Sequence, residues 1–169
     1  MATGALISVS EYLSTSYRPD CDYVDGEVQE RNLGEYDHAN IQAFLIEFLR
    51  GKRTEWHIRV VPEIRVQVKA TRFRVPDVCV LAGDAPTEQI LRHPPLLCIE
   101  VLSPSDTIAR MRDYLEMGVR QVWLLDPASR SAMTCEGSTM TEQTEGSLRL
   151  PGTPIEIPLA EAFSVLDEA

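Results

Sequence analysis

The sequence predicts an α/β fold in which helices flank a mixed β-sheet. Tyr23–Val28 has the pattern of two short strands joined by a turn at Asp25-Gly26. Trp56–Lys69 alternates between apolar and polar residues, and Phe73–Leu81 is expected to be its hairpin partner. Residues 96–126 have the order strand, helix, strand, which implies a right-handed parallel crossover. The sheet should therefore contain antiparallel hairpins first and one parallel unit later.

The elements of the first half each have a local signal. A short helix is expected to begin at Ser10, because serine is a common N-cap residue. In Tyr36–Leu49 the apolar residues recur every three or four positions, which predicts an amphipathic helix that Gly51 ends. Trp56–Lys69 is predicted as one long strand that bends at Pro62.

The second half begins with Leu96–Leu102, which is apolar on both faces and should be a strand buried on both sides. Ser103–Asp106 is a helix-start signal, and the helix is expected to end at Gly118. The residues expected on its buried side are Ile108, Met111, Tyr114 and Leu115. Gln121–Asp126 is another apolar strand, and Leu148–Phe163 should supply a short strand or two and a last helical turn.

Two carboxylates stand where their neighbours are apolar. The period of two places Asp77 on the face of Phe73 and Leu81, and Glu100 lies inside the doubly buried strand. A buried carboxylate must be paired, protonated or bound to a cation. Two of them on neighbouring strands would form a divalent-metal site with oxygen ligands, of the kind that Mg²⁺ uses in phosphoryl transfer.

Structural alternatives remain open for both acids. Asp77 follows Pro76 and would also fit at a strand bulge or end, bonded to backbone amides. Glu100 would equally fit a structural ion pair with an arginine.

The bulk properties are those of an ordinary globular protein. The 169 residues are expected to form a single domain, residues 1–169, with an adequate core. No apolar run approaches the roughly 20 residues that span a bilayer, and no basic region precedes an apolar N-terminal segment. The four cysteines are widely spaced and form no CxxC pair, so we expect reduced thiols in a cytoplasmic protein.

The charge is unevenly distributed. The net charge is −10, but residues 50–74 contain eight basic and two acidic side chains, so this basic segment carries +6. Because phosphate attracts basic surfaces, the segment is a candidate contact for nucleic acid, with Arg72 and Arg74 next to Asp77. The alternative is a solvated, salt-bridged face of the hairpin.

The ordered set of motifs resembles the Uma2-like family, formerly a domain of unknown function, in the PD-(D/E)xK superfamily of restriction-endonuclease-like proteins. The resemblance covers nearly the whole chain. The motifs that carry it are Tyr23-Val24-Asp25-Gly26-Glu27, His38, Pro62-Glu63, Pro76-Asp77, Ile99-Glu100-Val101-Leu102-Ser103-Pro104, and Tyr114-Leu115-Glu116-Met117-Gly118-Val119 leading to Val122-Trp123-Leu124-Leu125-Asp126-Pro127.

The resemblance implies a restriction-endonuclease-like core and a nuclease that uses Mg²⁺ (or Mn²⁺) on DNA. It implies Asp77 and Glu100 as metal ligands, and a homodimer, since two sites are needed for two strands. The usual lysine two residues after the Glu is replaced by Leu102, and the cation of this branch corresponds to Arg110, facing the phosphate. Arginine stabilises phosphate charge but does not act as a base near neutral pH. The alternative for Arg110 is an ordinary surface arginine.

Three more residues take their candidate roles from the resemblance. Glu27 would be a metal ligand or an acceptor near the metal, and its alternative is a surface acid of the hairpin. His38 would be an auxiliary catalytic residue, and its alternative is a satisfied core histidine. Glu63 would complete the carboxylate cluster, and its alternative, slightly favoured, is an ion pair with Arg65 or Arg74.

Two functions follow from these expectations. The first is a Mg²⁺-dependent endonuclease with Asp77, Glu100, Arg110, Glu27 and His38 in its active site. The second is a catalytically degenerate nuclease fold that serves as a nucleic-acid or protein binding module. Leu102, Arg110 and the net charge of −10 favour the second function, whereas the Asp77 and Glu100 pair favours the first.

Overall fold

The computed structural model describes residues 5–31, 35–102 and 107–168 of the chain. Helices pack on both faces of a central mixed sheet, and a smaller antiparallel sheet lies beside it. The helices are α1 (Val9–Ser14), α2 (Tyr36–Gly51), α3 (Arg53–Trp56), α4 (Thr107–Met117) and α5 (Leu159–Ser164), and a 3₁₀ turn follows at Val165–Asp167. Within the described ranges, no helix is long and apolar enough to cross a membrane.

In the described parts of the chain, the strands form three sheets. The central sheet has the order β10-β9-β8-β7-β6-β3, the N-terminal sheet has the order β2-β1-β5-β4, and β11 pairs with β12. Their bounds are β1 (Asp22–Val24), β2 (Glu27–Gln29), β3 (Ile58–Val61), β4 (Val66–Lys69), β5 (Arg72–Arg74), β6 (Val78–Ala82), β7 (Leu97–Val101), β8 (Gln121–Asp126), β9 (Ser131–Glu136), β10 (Thr139–Gln143), β11 (Ser147–Arg149) and β12 (Glu156–Pro158).

The mixed sheet has the predicted order of connections. β7 and β8 are parallel neighbours joined through α4, and the other pairings are antiparallel. The hairpin of β1 and β2 turns at Asp25 and Gly26, which both have positive φ angles, +50° and +100°. This is the geometry that an Asp-Gly pair favours in two-residue hairpins.

The two faces of the central sheet carry separate cores. One face packs against α2 and α5 through residues such as Leu45, Trp123 and Phe163. The other face packs against α4 through Met111 and Tyr114. As predicted, β7 is buried along its whole length, because both faces of this central strand are covered.

The prediction of one hairpin made of two long strands is wrong, because each predicted strand is divided into two. Trp56 ends α3, and the chain then forms two strands, β3 and β4, which belong to different sheets. The break falls at Pro62 and Glu63, where Glu63 has a φ of +52°. The partner segment also divides, into β5 and β6, so Val75–Asp77 belongs to no strand.

Smaller expectations also differ. Ser8, and not Ser10, caps α1, since its side chain accepts from the Glu11 amide. Ile108 is 59% exposed and does not face the core. The helix-start signal at 103–106 lies outside the described residues. The hairpin of β9 and β10 was not predicted from the sequence. Four of the five β10 residues are exposed and none is buried, so β10 lacks the alternation of a half-buried strand.

Candidate functional site

Asp77 and Glu100 lie side by side. Asp77 directly precedes β6, and Glu100 lies in β7. The antiparallel register pairs Val78 with Ile99, so its continuation places Asp77 opposite Glu100. The two residues are 3% and 6% exposed. Sequence periodicity and strand pairing thus bring two buried carboxylates together where β6 begins and β7 ends.

Asp77 is held from three sides. Its Oδ2 accepts a hydrogen bond of 2.8 Å from the Val101 amide and lies 3.2 Å from His38 Nε2 on α2. Its Oδ1 lies 3.8 Å from Nη1 of Arg31. Asp77 therefore accepts from a backbone amide, as its structural alternative requires, but it also faces two cationic or titratable side chains.

Glu100 is bonded to α4. Its Oε1 accepts from the Tyr114 hydroxyl at 2.9 Å and from Arg110 Nη2 at 3.1 Å. Burial raises the pKa of Glu100 to about 7, although the positive charge of Arg110 lowers it, and the nearby charge of Asp77 raises it further. The structural ion pair that was the alternative for Glu100 is thus present, within the same cluster as Asp77.

His38 lies on the buried side of α2 and points to the cluster. Its hydrogen bond to Asp77 raises the pKa of the imidazole, burial opposes the rise, and the charges of Asp77 and Glu100 add to it. The structure therefore places His38 with the two carboxylates rather than among apolar core side chains.

Arg110 is buried, and its alternative as a surface helix arginine is wrong. Its Nη1 forms an ion pair with Asp22, and its Nη2 donates to the Val75 carbonyl at 2.7 Å. Nη2 also reaches Glu100 and lies 3.2 Å from the Tyr114 hydroxyl. The guanidinium is directed to protein acceptors, and its expected role facing a phosphate stays a prediction.

A chain of buried ion pairs extends from Arg110 into the N-terminal sheet. Asp22 also binds Arg74 at 3.1 Å, and Arg74 donates to Asp113 on α4 at 2.8 Å. Arg72 reaches Asp113 at 2.9 Å. These pairs join β1, β5 and α4 behind the two carboxylates. Each buried charge has a partner of opposite sign, which is the condition for keeping it in the interior.

Glu27 lies apart from this cluster, and Glu63 is linked to it through Arg31. Glu27 is exposed and lies in β2 opposite Val24, next to the hairpin turn. Asp22 lies at the other end of β1, away from the turn. Among the residues that the structure describes, no hydrogen bond or ion pair joins Glu27 to the carboxylates. Glu63 forms its ion pair with Arg31, at 2.8 Å, and with neither of the arginines predicted.

The basic segment is largely paired inside the protein. Arg74 is 3% exposed and Arg72 binds two aspartates, so these two side chains are not free to contact phosphate as expected. Other members of the segment bind neighbouring residues: Arg65 to Asp20, Lys69 to Glu116 and Lys52 to Glu55. Five of the eight basic side chains of the segment thus form ion pairs, and all but the Lys52–Glu55 pair use acids from other parts of the chain.

The donors at the site fit a hard divalent cation. Mg²⁺ is typically bound by one or two carboxylates, while waters and substrate phosphates complete its octahedral shell. Asp77 and Glu100 supply that number of carboxylates, next to each other. Across the described parts of the chain, no group of three or more His, Cys, Asp or Glu residues is arranged as a metal cage. Water and substrate would therefore have to supply the remaining ligands.

Two residues of the cluster escaped sequence analysis. Asp22 stands between Cys21 and Tyr23, so it had the same signal as Asp77, an acid among buried neighbours. Arg31 had no local signal, because its partners Asp20, Glu63, Val75 and Asp77 come from separate segments. Only the folded chain brings those acceptors to one guanidinium.

Comparisons with known proteins agree with this architecture. The model of the Uma2 family, described as "Putative restriction endonuclease", matches residues 9–160. No curated protein matches the sequence. A crystal structure described as a putative nuclease belonging to DUF820 from Anabaena variabilis ATCC 29413 is similar, with a TM-score of 0.82 and 19% identity. That likeness covers 95% of this chain and 99% of the other, and it confirms the predicted restriction-endonuclease-like fold.

Proposed function

The chain belongs to the Uma2 family, and we propose that it is a metal-dependent endonuclease that hydrolyses DNA phosphodiester bonds with Mg²⁺ (or Mn²⁺). The observation that carries the proposal is the adjacent pair of buried carboxylates, Asp77 and Glu100, at the edge of the central sheet. A buried acid pair without a bound cation is unfavourable, and a divalent ion is the partner that such a pair is suited to bind.

Asp77 and Glu100 would hold the ion. When bound, it supplies charge stabilisation at the phosphate and lowers the pKa of a coordinated water. The protein's own groups orient the ligands: the Val101 amide and His38 hold one oxygen of Asp77, and Tyr114 holds one oxygen of Glu100. Arg110 offsets negative charge in the cluster through its ion pair with Glu100.

The test is Mn²⁺ binding and plasmid nicking by the wild type and by Asp77→Asn and Glu100→Gln. Each substitution removes one ligand charge while it keeps the shape of the side chain. We expect both variants to lose Mn²⁺ affinity in calorimetric titration and nicking activity in Mn²⁺, while circular dichroism shows that both are folded. Glu156→Gln, which removes a partly exposed acid paired with Arg149, is the matched control.

Equal Mn²⁺ affinity in the wild type and in both variants would overturn the metal assignment. Loss of nicking without loss of Mn²⁺ binding would instead remove these residues from the metal site and leave them with a role in a later step. The control variant must bind and nick as the wild type does.

The second candidate, a binding module without turnover, rests on the Arg110–Glu100 pair. The guanidinium already compensates one ligand of the proposed ion, and Leu102 replaces the usual lysine. A wild type that binds DNA but nicks no plasmid in Mn²⁺ would favour this candidate. Nicking that is abolished by Asp77→Asn would exclude it.

A further inference from the structure

The segment Val75–Asp77 carries one proposed metal ligand. Hydrogen bonds from several distant segments of the chain hold it in place. It lies between β5 and β6 and belongs to neither. Backbone groups of all three residues are bonded. The Val75 amide donates to Asp22, the Val75 carbonyl accepts from Arg31 and Arg110, the Pro76 carbonyl accepts from the Glu63 amide, and the Asp77 carbonyl accepts from Gln42.

The Arg31 side chain contacts four different residues near this segment, which is more than a single ion pair. Its side chain is only 4% exposed. Nε donates to the Asp20 carbonyl at 2.9 Å, Nη1 to the Val75 carbonyl at 3.1 Å, and Nη2 to Glu63 at 2.8 Å. Nη1 is also 3.8 Å from Asp77 Oδ1. The planar fork of a guanidinium serves such divergent acceptors, and a lysine ammonium does not.

Glu63 is the second part of this arrangement. Its φ of +52° is unfavourable for a residue with a Cβ atom. Two bonds hold it there: its amide donates to Pro76, and its carboxylate accepts from Arg31. Arg31 therefore joins the turn that ends β3 to the segment that precedes β6, and both segments flank Asp77.

We propose that Arg31 is a positioning residue that holds Asp77 where the metal ion would meet it. The proposal rests on the proposed function for the ion, but the positioning itself concerns the metal-free protein. Arg31 acts through the Val75 carbonyl and through its charge beside Asp77. It keeps the carboxylate against the Val101 amide and His38.

The experiment uses Arg31→Lys, which keeps the positive charge and removes the fork. The first readout is amide hydrogen exchange in EDTA. We expect the Val101 amide, which donates to Asp77, to exchange at least about tenfold faster, while the Val80 amide in the same sheet keeps its wild-type rate. The second readout is Mn²⁺ titration, for which we expect a dissociation constant about 10–100-fold higher, as for other residues that orient metal ligands. Arg149→Lys, at an exposed ion pair, is the control.

A normal Val101 exchange rate and an unchanged Mn²⁺ affinity in folded Arg31→Lys would overturn the proposal. A lower unfolding midpoint with both readouts unchanged would show a merely structural role and would overturn it as well. If the wild type binds no Mn²⁺, the proposed function fails, and the Val101 exchange rate alone decides the role of Arg31.

A second variant covers the case in which Arg31→Lys does not fold. Glu63→Asn keeps a residue that tolerates positive φ but is too short to reach Arg31. We expect a smaller change in the same direction, a two- to fivefold faster Val101 exchange. An unchanged rate in this variant would count against the proposal and overturn it.

Discussion

At the scale of single residues, the two central carboxylates have different environments. Asp77 accepts from a backbone amide and faces His38, whereas Glu100 is bonded to Arg110 and Tyr114. Even with a guanidinium at 3.1 Å, burial dominates and raises the pKa of Glu100 to about 7. The charge of Glu100 is therefore unfavourable in the metal-free protein, and a divalent ion would relieve it.

The pKa of Glu100 predicts a pH dependence of stability in EDTA. In the unfolded chain the carboxyl titrates near its ordinary value of about 4.3, and in the folded chain near 7. The folded state thus holds a proton that the unfolded state has lost between these values, so stability falls as the pH rises from about 4 to about 7. The full difference is on the order of 3 kcal/mol at pH 8. Urea unfolding at several pH values measures it.

Glu100→Gln is the comparison that isolates this group. The difference in unfolding free energy between the wild type and the variant should shift in favour of the variant as the pH rises from 4 to 8. A difference that stays constant across that range would contradict the raised pKa of Glu100.

At the scale of elements, α4 is tied to the N-terminal sheet by one buried and one exposed acid. Asp113 is 3% exposed and binds both Arg72 and Arg74, whereas Glu116 forms an exposed pair with Lys69. The buried pair keeps in place the helix that carries Arg110 and Tyr114. It therefore connects the packing of the N-terminal sheet to the position of Glu100.

Substitution of these two acids should lower the free energy of unfolding by different amounts. Asp113→Asn should lower the free energy of unfolding by about 2–4 kcal/mol, because it leaves two arginine groups with a weaker, neutral acceptor in the interior. Glu116→Gln, on the same helix, should lower it by less than about 1 kcal/mol, since exposed pairs contribute little. Equal losses in chemical denaturation would show that burial does not govern this contact.

At the scale of the whole molecule, the charge distribution differs from that of a typical DNA-binding protein. The net charge is −10, and the arginines beside Asp77 are engaged with aspartates. Any binding of DNA by one chain would therefore involve few phosphate contacts, which makes it weak and gives it only a shallow dependence on salt concentration. A second copy would double the contacts.

We predict that the protein is a homodimer. Two sites related by a twofold axis match the two strands of a duplex, and closed twofold dimers are the commonest oligomers. Light scattering at tens of micromolar should give twice the mass of one chain, in low salt and in 0.5 M salt alike. The mass of a single chain under both conditions would contradict the prediction.

The sequence by itself determined most of the architecture. Alternation and helical periodicity are local properties, so they located α2, the β1–β2 hairpin, the doubly buried β7, and the parallel unit through α4. Asp77 and Glu100 were found in the same way, because an acid in an apolar strand is visible in a short window. The pattern also implied that they would be neighbours, since their strands follow each other.

Only the tertiary structure decided how these charges are partnered. The split at Pro62-Glu63 sends β3 and β4 into different sheets, and no local pattern distinguishes a bent strand from two strands. The buried position of Arg110, the burial of Arg74 and the contacts of Arg31 depend on acceptors far away in sequence. Periodicity reports which side of an element is buried, whereas the partner of a buried charge is set by the segments that meet there when the chain folds.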